Sequence, residues 1–179
     1  SDGTPRGGPV SVADFDNSFV HLHNHSLSAN RQGEIVVSTY RCMGSGEGFI
    51  FQRFSRNGER VGGNVHFARG CISNYTAPSA MNEAGDLAFV FSQETPEAEN
   101  ERYLFLQYFT FGGDSLGPKV RVNETGRAYL DPAVSNNKIT INETGDCIVT
   151  WTQIDNGRSE IWFRYFQRGG QPGAPPQQL

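Results

Sequence analysis

Three of the chain's four histidines fall within five residues, His21-Leu22-His23-Asn24-His25. Imidazole nitrogen binds zinc and copper, and alternate residues of a β-strand project to one face. A strand here would therefore offer His21, His23 and His25 as one metal-binding set, with Asp14, Asp16 or His66 as further ligands. A solvated strand or loop face is the plainer reading of the same residues. The corresponding places elsewhere in the chain hold Ser73, Tyr75 and Ala77, and then Ala133, Ser135 and Asn137, so the histidines are no part of a shared scaffold. Asp14-Phe15-Asp16-Asn17 and Asp155-Asn156-Gly157 contain oxygen ligands of the kind calcium takes. Neither is followed by the distal Glu of an EF-hand loop, and both suit ordinary turns. The sequence thus requires no cofactor, and zinc or calcium are the ions it could accommodate.

Other chemistry is sparse. There is no Gly-x-Ser-x-Gly elbow, no phosphate-binding Gly-x-x-x-x-Gly-Lys loop, no His-Glu-x-x-His and no Ser-x-Asp-x-Gly-x-x-Trp box of the sialidase type. A protein without enzymatic activity is expected. The cysteines are Cys42, Cys71 and Cys147, none in a Cys-x-x-Cys pair. Cys42 and Cys71 lie in one repeat unit and are the candidate disulfide. Cys147 sits in the apolar run Cys147-Ile148-Val149-Thr150-Trp151 and reads as a small buried hydrophobe. Asn24, Asn74, Asn123 and Asn142 each begin an Asn-x-Ser/Thr sequon, which in a glycosylating host would mark a surface position.

The residues that could do chemistry must be held by β-structure. The 179 residues include 21 glycines, 9 prolines and 13 phenylalanines, and Gly, Asn and Asp punctuate short apolar runs throughout. The net charge is −4 and basic residues are scattered, so no footprint for nucleic acid or an anionic membrane is present. Arg53, Arg56 and Arg60 read as a solvated strand or turn face. No apolar stretch approaches the roughly 20 residues of a membrane span.

A repeat organises these runs. Phe51-Gln52-Arg53-Phe54 recurs as Leu106-Gln107-Tyr108-Phe109 and Phe163-Arg164-Tyr165-Phe166, at steps of 55 and 57 residues. Ahead of each copy stands Asn-x-x-Gly-acid and an apolar run: Asn30 to Glu34, Asn82 to Asp86, Asn142 to Asp146. Glycine supplies positive φ and Asn hydrogen-bonds its own backbone, so each is a hairpin turn. A further glycine turn and a fourth strand follow, as in Asn64-Val65-His66-Phe67 and Lys119-Val120-Arg121-Val122. Four strands per unit of this length make one propeller blade. The expected fold is all-β, a β-propeller-like array of three four-stranded blades in one domain over 1–179. Its parts are a terminal strand over 1–19 and blades over 20–76, 77–131 and 132–173. Residues 174–179 form a Pro-rich tail. Residues 2–12 align with 57–67, so the last blade is expected to be split between the N- and C-termini. A longer array, or ends that pair with a neighbouring chain, fit the same alignment.

The units resemble the propeller-like repeats of large secreted bacterial proteins of the RTX and adhesin type. Phe51-Gln52-Arg53-Phe54, Asn57-Gly58, Gly62, Trp151 and Val120-Arg121-Val122-Asn123 carry the resemblance, while Thr39 and Phe91 depart from it near the Trp position. It implies fold and secretion to the extracellular space, and it transfers no active site. Three blades are fewer than the four to eight of a closed propeller. Self-association or a larger parent protein is therefore expected, with a structural or adhesive role. The alternative is a carbohydrate-binding propeller, with Tyr40, Tyr75, Tyr103, Trp151 and Trp162 able to stack on a glycan.

Overall fold

The structure is a computed structural model that describes residues 8–12, 21–42, 48–69, 77–94, 102–124, 137–155 and 158–179. All its elements are strands, and they form three antiparallel sheets. Sheet 1 is β1 (His21–Ala29), β2 (Ile35–Cys42), β3 (Gly48–Phe54) and β4 (Arg60–Arg69), paired in chain order. Sheet 2 repeats the order with β5 (Ser79–Met81), β6 (Leu87–Glu94), β7 (Arg102–Phe109) and β8 (Val120–Arg121). Sheet 3 has β9 (Lys138–Ile141), β10 (Cys147–Asp155) and β11 (Arg158–Gln167). Two short strands, β12 (Gln171–Pro172) and β13 (Gln177–Gln178), both pair with β11.

The hairpin turns follow from their sequence. Gly33, Gly85 and Gly145 have φ of 82°, 80° and 89°, where a side chain is disfavoured. Each turn's Asn accepts, through Oδ1, the backbone N–H of the acidic residue: Glu34 at 3.0 Å, Asp86 at 2.8 Å and Asp146 at 2.9 Å. The expected strand–turn–strand reading therefore holds in all three units, and with it the all-β class.

The ends of the chain differ from expectation. The fourth-strand position of sheet 3 is taken by the C-terminal tail: Gln178 stands opposite Trp162 and Gln177 opposite Phe163. The Leu179 N–H also donates to the Ile161 carbonyl at 2.9 Å. Two prolines remove donors from the tail, but Gln177, Gln178 and Leu179 keep theirs, and two residues suffice for a short edge strand. The blade split between termini is thus not what β11 shows. Of the expected N-terminal strand, residues 8–12 carry no strand, and the Val12 carbonyl accepts from Arg60 of sheet 1 at 3.3 Å. Residues 1–7 and 13–20 lie outside the described residues.

The sheets stack face to face. Directly opposed residues of a pair share a face, so one face of sheet 1 carries Val36 with Arg53, Ser38 with Phe51, and Tyr40 with Phe49. This forward face meets sheet 2 through aromatic rings. Phe51 stacks on Phe89 at 4.9 Å between centroids, Phe67 meets Phe89 at 4.7 Å, and Phe51 meets Phe109 edge-on at 5.2 Å. Such pairs add about 0.5–1.5 kcal/mol each beyond the area they bury. The inner strands β1, β5 and β9 adjoin, with the Ser79 N–H donating to Ser26 Oγ at 3.1 Å. Between sheets 2 and 3 the forward face is Ala88 with Tyr108, Val90 with Leu106, and Ser92 with Leu104. Against these lie Cys147, Val149, Trp151 and Phe166 of the common core.

Arg53 is a correction to its reading as solvated. It is 5% exposed, and its Nη1 donates to the carbonyls of Phe111 at 2.9 Å and of Gly112. Burial lowers its pKa, and Asp114 offsets part of that. The side chain thus reaches from β3 into the second glycine turn of the next sheet. A Cβ on Gly113, at φ 97°, would lie 2.9 Å from Arg53 Nη1 and 3.0 Å from Val65. Gly58 is the matching turn residue of sheet 1, at φ 80°, and a Cβ there would meet nothing within 4 Å. Gly58→Ala is expected to destabilise the fold by about 1–2 kcal/mol from backbone conformation alone. Gly113→Ala should cost about 1–3 kcal/mol more from crowding. Urea denaturation of the two variants checks the difference; equal losses would contradict it.

Candidate functional site

The histidine set is the first candidate. His21 stands opposite Cys42 and His23 opposite Tyr40, but a register shift follows, and His25 stands opposite Thr39. Tyr40 and Thr39 are consecutive on β2 and have opposite parity. The backbone register therefore shifts by one between His23 and His25, and the side chains of His21 and His23 lie outside the described residues. His25 is exposed, and so is the more distant His66 on β4. Among the described residues no group of three His, Cys, Asp or Glu is placed to hold a metal. Asp14 and Asp16 lie outside the described residues, as do Asn156 and Gly157 of the calcium-type turn.

The remaining sequence candidates separate clearly. Cys147 is buried and free, as expected of a packed hydrophobe, and burial pushes its thiol up to about 11. Cys42 ends β2, while Cys71 lies outside the described residues, and so does the pairing of the two. Asn142 is exposed, but Asn123 is fully buried and its Oδ1 accepts the Leu104 N–H at 2.9 Å. Asn123 is therefore not a surface position, because its amide closes the end of β7. Asn24 is on β1, and Asn74 lies outside the described residues. Of the aromatics, Tyr40 and Trp151 are core residues and give no stacking surface to a glycan. Trp162 packs half-buried against the core, and Tyr103 is covered by the Arg121 guanidinium 3.5 Å from its ring centre. Tyr75 lies outside the described residues.

Two features remain open. One is a cleft of about 400 Å³ between sheets 1 and 2, lined by His66, Phe67, Gln93, Gln107 and Lys119. The Lys119 ammonium donates to Gln93 Oε1 and sits 4.8 Å from the Phe105 ring centre. Burial lowers its pKa. The cleft mixes the apolar Phe67 and Ala68 with three polar side chains and the Lys119 cation, and it could take a small hydrophilic or acidic group.

The other feature is the forward face of sheet 3. It carries Ile148 opposite Tyr165, Thr150 opposite Phe163, and Thr152 opposite Ile161. These are the repeat equivalents of the six forward residues of sheets 1 and 2. There the six are at most 5% exposed in sheet 1 and at most 2% in sheet 2. In sheet 3 Ile148 is 40%, Ile161 54% and Tyr165 37% exposed. A hollow of about 130 Å³ opens beside them, lined by Ile141, Asn142, Asp146, Ile148 and Tyr165. The repeat alignment could have identified these positions, since they are the equivalents of the residues that sheets 1 and 2 bury.

A charged clamp shows what the covered version looks like. Asp86 of sheet 2 accepts two bonds from Arg168 of sheet 3, Nε at 2.8 Å and Nη2 at 2.8 Å. Its side chain is 6% exposed, and the Arg168 hydrogen bond holds its carboxyl below the usual carboxylate range. A lowered carboxyl stabilises the fold above the unfolded value, about 3.9, and that stability is lost as pH falls through the folded value. Asp86→Asn is expected to cost about 1–3 kcal/mol at neutral pH. The gap to the unaltered chain should close in acid; chemical denaturation at both pH values measures it, and a gap independent of pH would contradict the clamp.

No protein-family model matches the chain, and no curated protein matches it. Solved structures do. A protein of unknown function from Dyadobacter fermentans superposes with a TM-score of 0.55 at 11% identity, over 86% of this chain and 50% of that one. A family 117 glycoside hydrolase of the marine bacterium Zobellia galactanivorans superposes with a TM-score of 0.54 at 8% identity, over 95% of this chain and 59% of that one. The chain spans about half the length of these structures, and at such identities the likeness is one of fold alone.

Proposed function

We propose that this chain is a propeller-type module, structural or adhesive, that works by protein–protein association rather than by catalysis. The observation that carries the reading is the forward face of sheet 3. Twice within the chain a face built from the same repeat positions is covered by the next sheet, and the third copy stands exposed with Ile148, Ile161 and Tyr165 on it. Apolar sheet faces of this kind are stable when a second sheet packs on them. The module therefore associates, through that face, with another sheet of the same type. The resemblance to secreted bacterial repeats supports an extracellular setting, and the stacked, incomplete set of sheets supports a place within a propeller. Among the described residues no helix is long and apolar enough to cross a membrane.

A second reading has its own observation. The cleft at His66, Gln107 and Lys119 offers a cation and amides to a hydrophilic ligand, and one structural neighbour is a glycoside hydrolase. A glycan would suit such a cleft. A glycan array with Lys119→Ala as control distinguishes the readings: binding lost in the variant favours the glycan, and no binding favours assembly.

The assembly reading predicts that the purified chain associates and that Ile148→Asp weakens this by about tenfold or more, since a charge would enter a desolvated contact. Sedimentation over a range of concentrations measures it. The isolated chain should stay folded, losing about 1–2 kcal/mol, because Ile148 is partly buried in a strand paired on both sides. Association that survives the substitution unchanged would overturn the reading.

A further inference from the structure

The forward face of sheet 3 has a chemically specific complement, and the chain itself carries it. The interface between sheets 2 and 3 has two distinctive contacts at its turn end. Tyr108 lies beside Gly170, where a Cβ would come within 3.9 Å of its ring, and Asp86 is clamped by Arg168. On the open face the residues equivalent to Tyr108 and Asp86 are Tyr165 and Asp146. The residues equivalent to Gly170 and Arg168 belong to sheet 1: they are Gly58 and Arg56. Gly58 has the same positive φ as Gly113 and Gly170, yet it is the one of the three with open space where their neighbours press. Arg56 is exposed and is seated against Gly33 as Arg168 is against Gly145. Leu27, on the rear side of β1, is 65% exposed.

We infer that the sheet covering this face is sheet 1 of a second copy of the chain, docked head to tail. Tyr165 then packs over Gly58 and Asp146 receives Arg56, as Tyr108 and Asp86 meet sheet 3 within the chain. This rests on the assembly reading and adds the occupant and its orientation. The middle of the rear face of sheet 1, at Ile50 and Gln52, is already buried, so the second copy is met at its turn end by Leu27, Arg56 and Gly58. Charge complementarity argues for a second copy: sheet 3 carries an acid, Asp146, and sheet 1 a base, Arg56, in the positions that pair between sheets 2 and 3. Asp146 accepts the Arg168 N–H at 3.1 Å and Thr144 Oγ1 at 2.9 Å in its own sheet, so Arg56 would add to these bonds. The contact is heterologous, so it closes a ring if the rotation allows and otherwise propagates. Two copies in a ring would form it twice.

The experiment is a charge swap read by sedimentation and light scattering of the full chain. Arg56→Asp and Asp146→Arg are each expected to weaken self-association by about thirtyfold or more, since each places like charges across the contact. An equimolar mixture of the two variants should restore it, because each then offers the other the complementary pair at both ends. Leu27→Asp, at an exposed position, should also weaken it, which covers the case in which Asp146→Arg disturbs its own turn. If Ile148→Asp abolishes association while Arg56→Asp and Leu27→Asp leave it unchanged, the open face still associates but a different surface covers it, and the inference is overturned alone. If none of these substitutions has an effect, the assembly reading falls with it.

Discussion

Each sheet of this chain is apolar on both faces, so none can leave a face in water without cost. That constraint orders the rest of the structure. Phe49, Phe51 and Phe67 bury one side of sheet 1 by packing against Phe89, Phe91 and Phe109 of sheet 2. Sheet 2 uses its other side, at Leu104, Leu106 and Tyr108, to cover the Trp151 and Phe166 side of sheet 3. Hydrophobic burial is non-directional and would allow the sheets to slide. Register comes from the polar reach of one unit into the next. Arg53 enters the Phe111–Gly112 turn, Arg168 clamps Asp86, and Arg164 donates to the Val122 carbonyl at 3.0 Å. Each is a charged group held by partners in a neighbouring sheet, so its geometry is lost if the stack shifts.

What could be read in the sequence was what is decided locally. The Asn-x-x-Gly-acid turns contain both their glycine and their hydrogen-bonding Asn, so the pattern alone locates the hairpins and hence the three units. The repeat positions gave the strands around them for the same reason. Contacts whose partners come from another unit were not legible. Arg53 looks like a solvated arginine because the carbonyls that receive it lie 58 and 59 residues away. Asp86 reads as a turn residue until Arg168, 82 residues on, is brought beside it. Asn123 completes a sequon but spends its amide oxygen on β7. The C-terminal tail reads as strand-poor from its prolines, and only the free edge of β11 turns Gln177 and Gln178 into a strand.

The histidines show the complementary limit. Alternation is a strong rule for an unbroken strand, and it placed His21, His23 and His25 on one face. A single bulge defeats the rule, because one extra residue reverses the parity of all that follow. The structure describes the side chain of His25 alone among the three, so the spacing argument stops at the backbone register of β1. The proposed association rests on a surface whose residues are unremarkable singly. Ile148, Tyr165 and Asp146 become informative when set beside Ala88, Tyr108 and Asp86.

The central claim is that the forward face of sheet 3 is an interface of the same kind as the two inside the chain. Hydrogen exchange of the backbone amides at low and at high protein concentration tests it most directly. The account predicts that β10, β11 and the turn at Asp146 gain protection as concentration rises, together with the Ser55–Gly58 turn, while β6 and β7 between the covered faces stay unchanged. Protection of β10 and β11 that is the same at every concentration would contradict it.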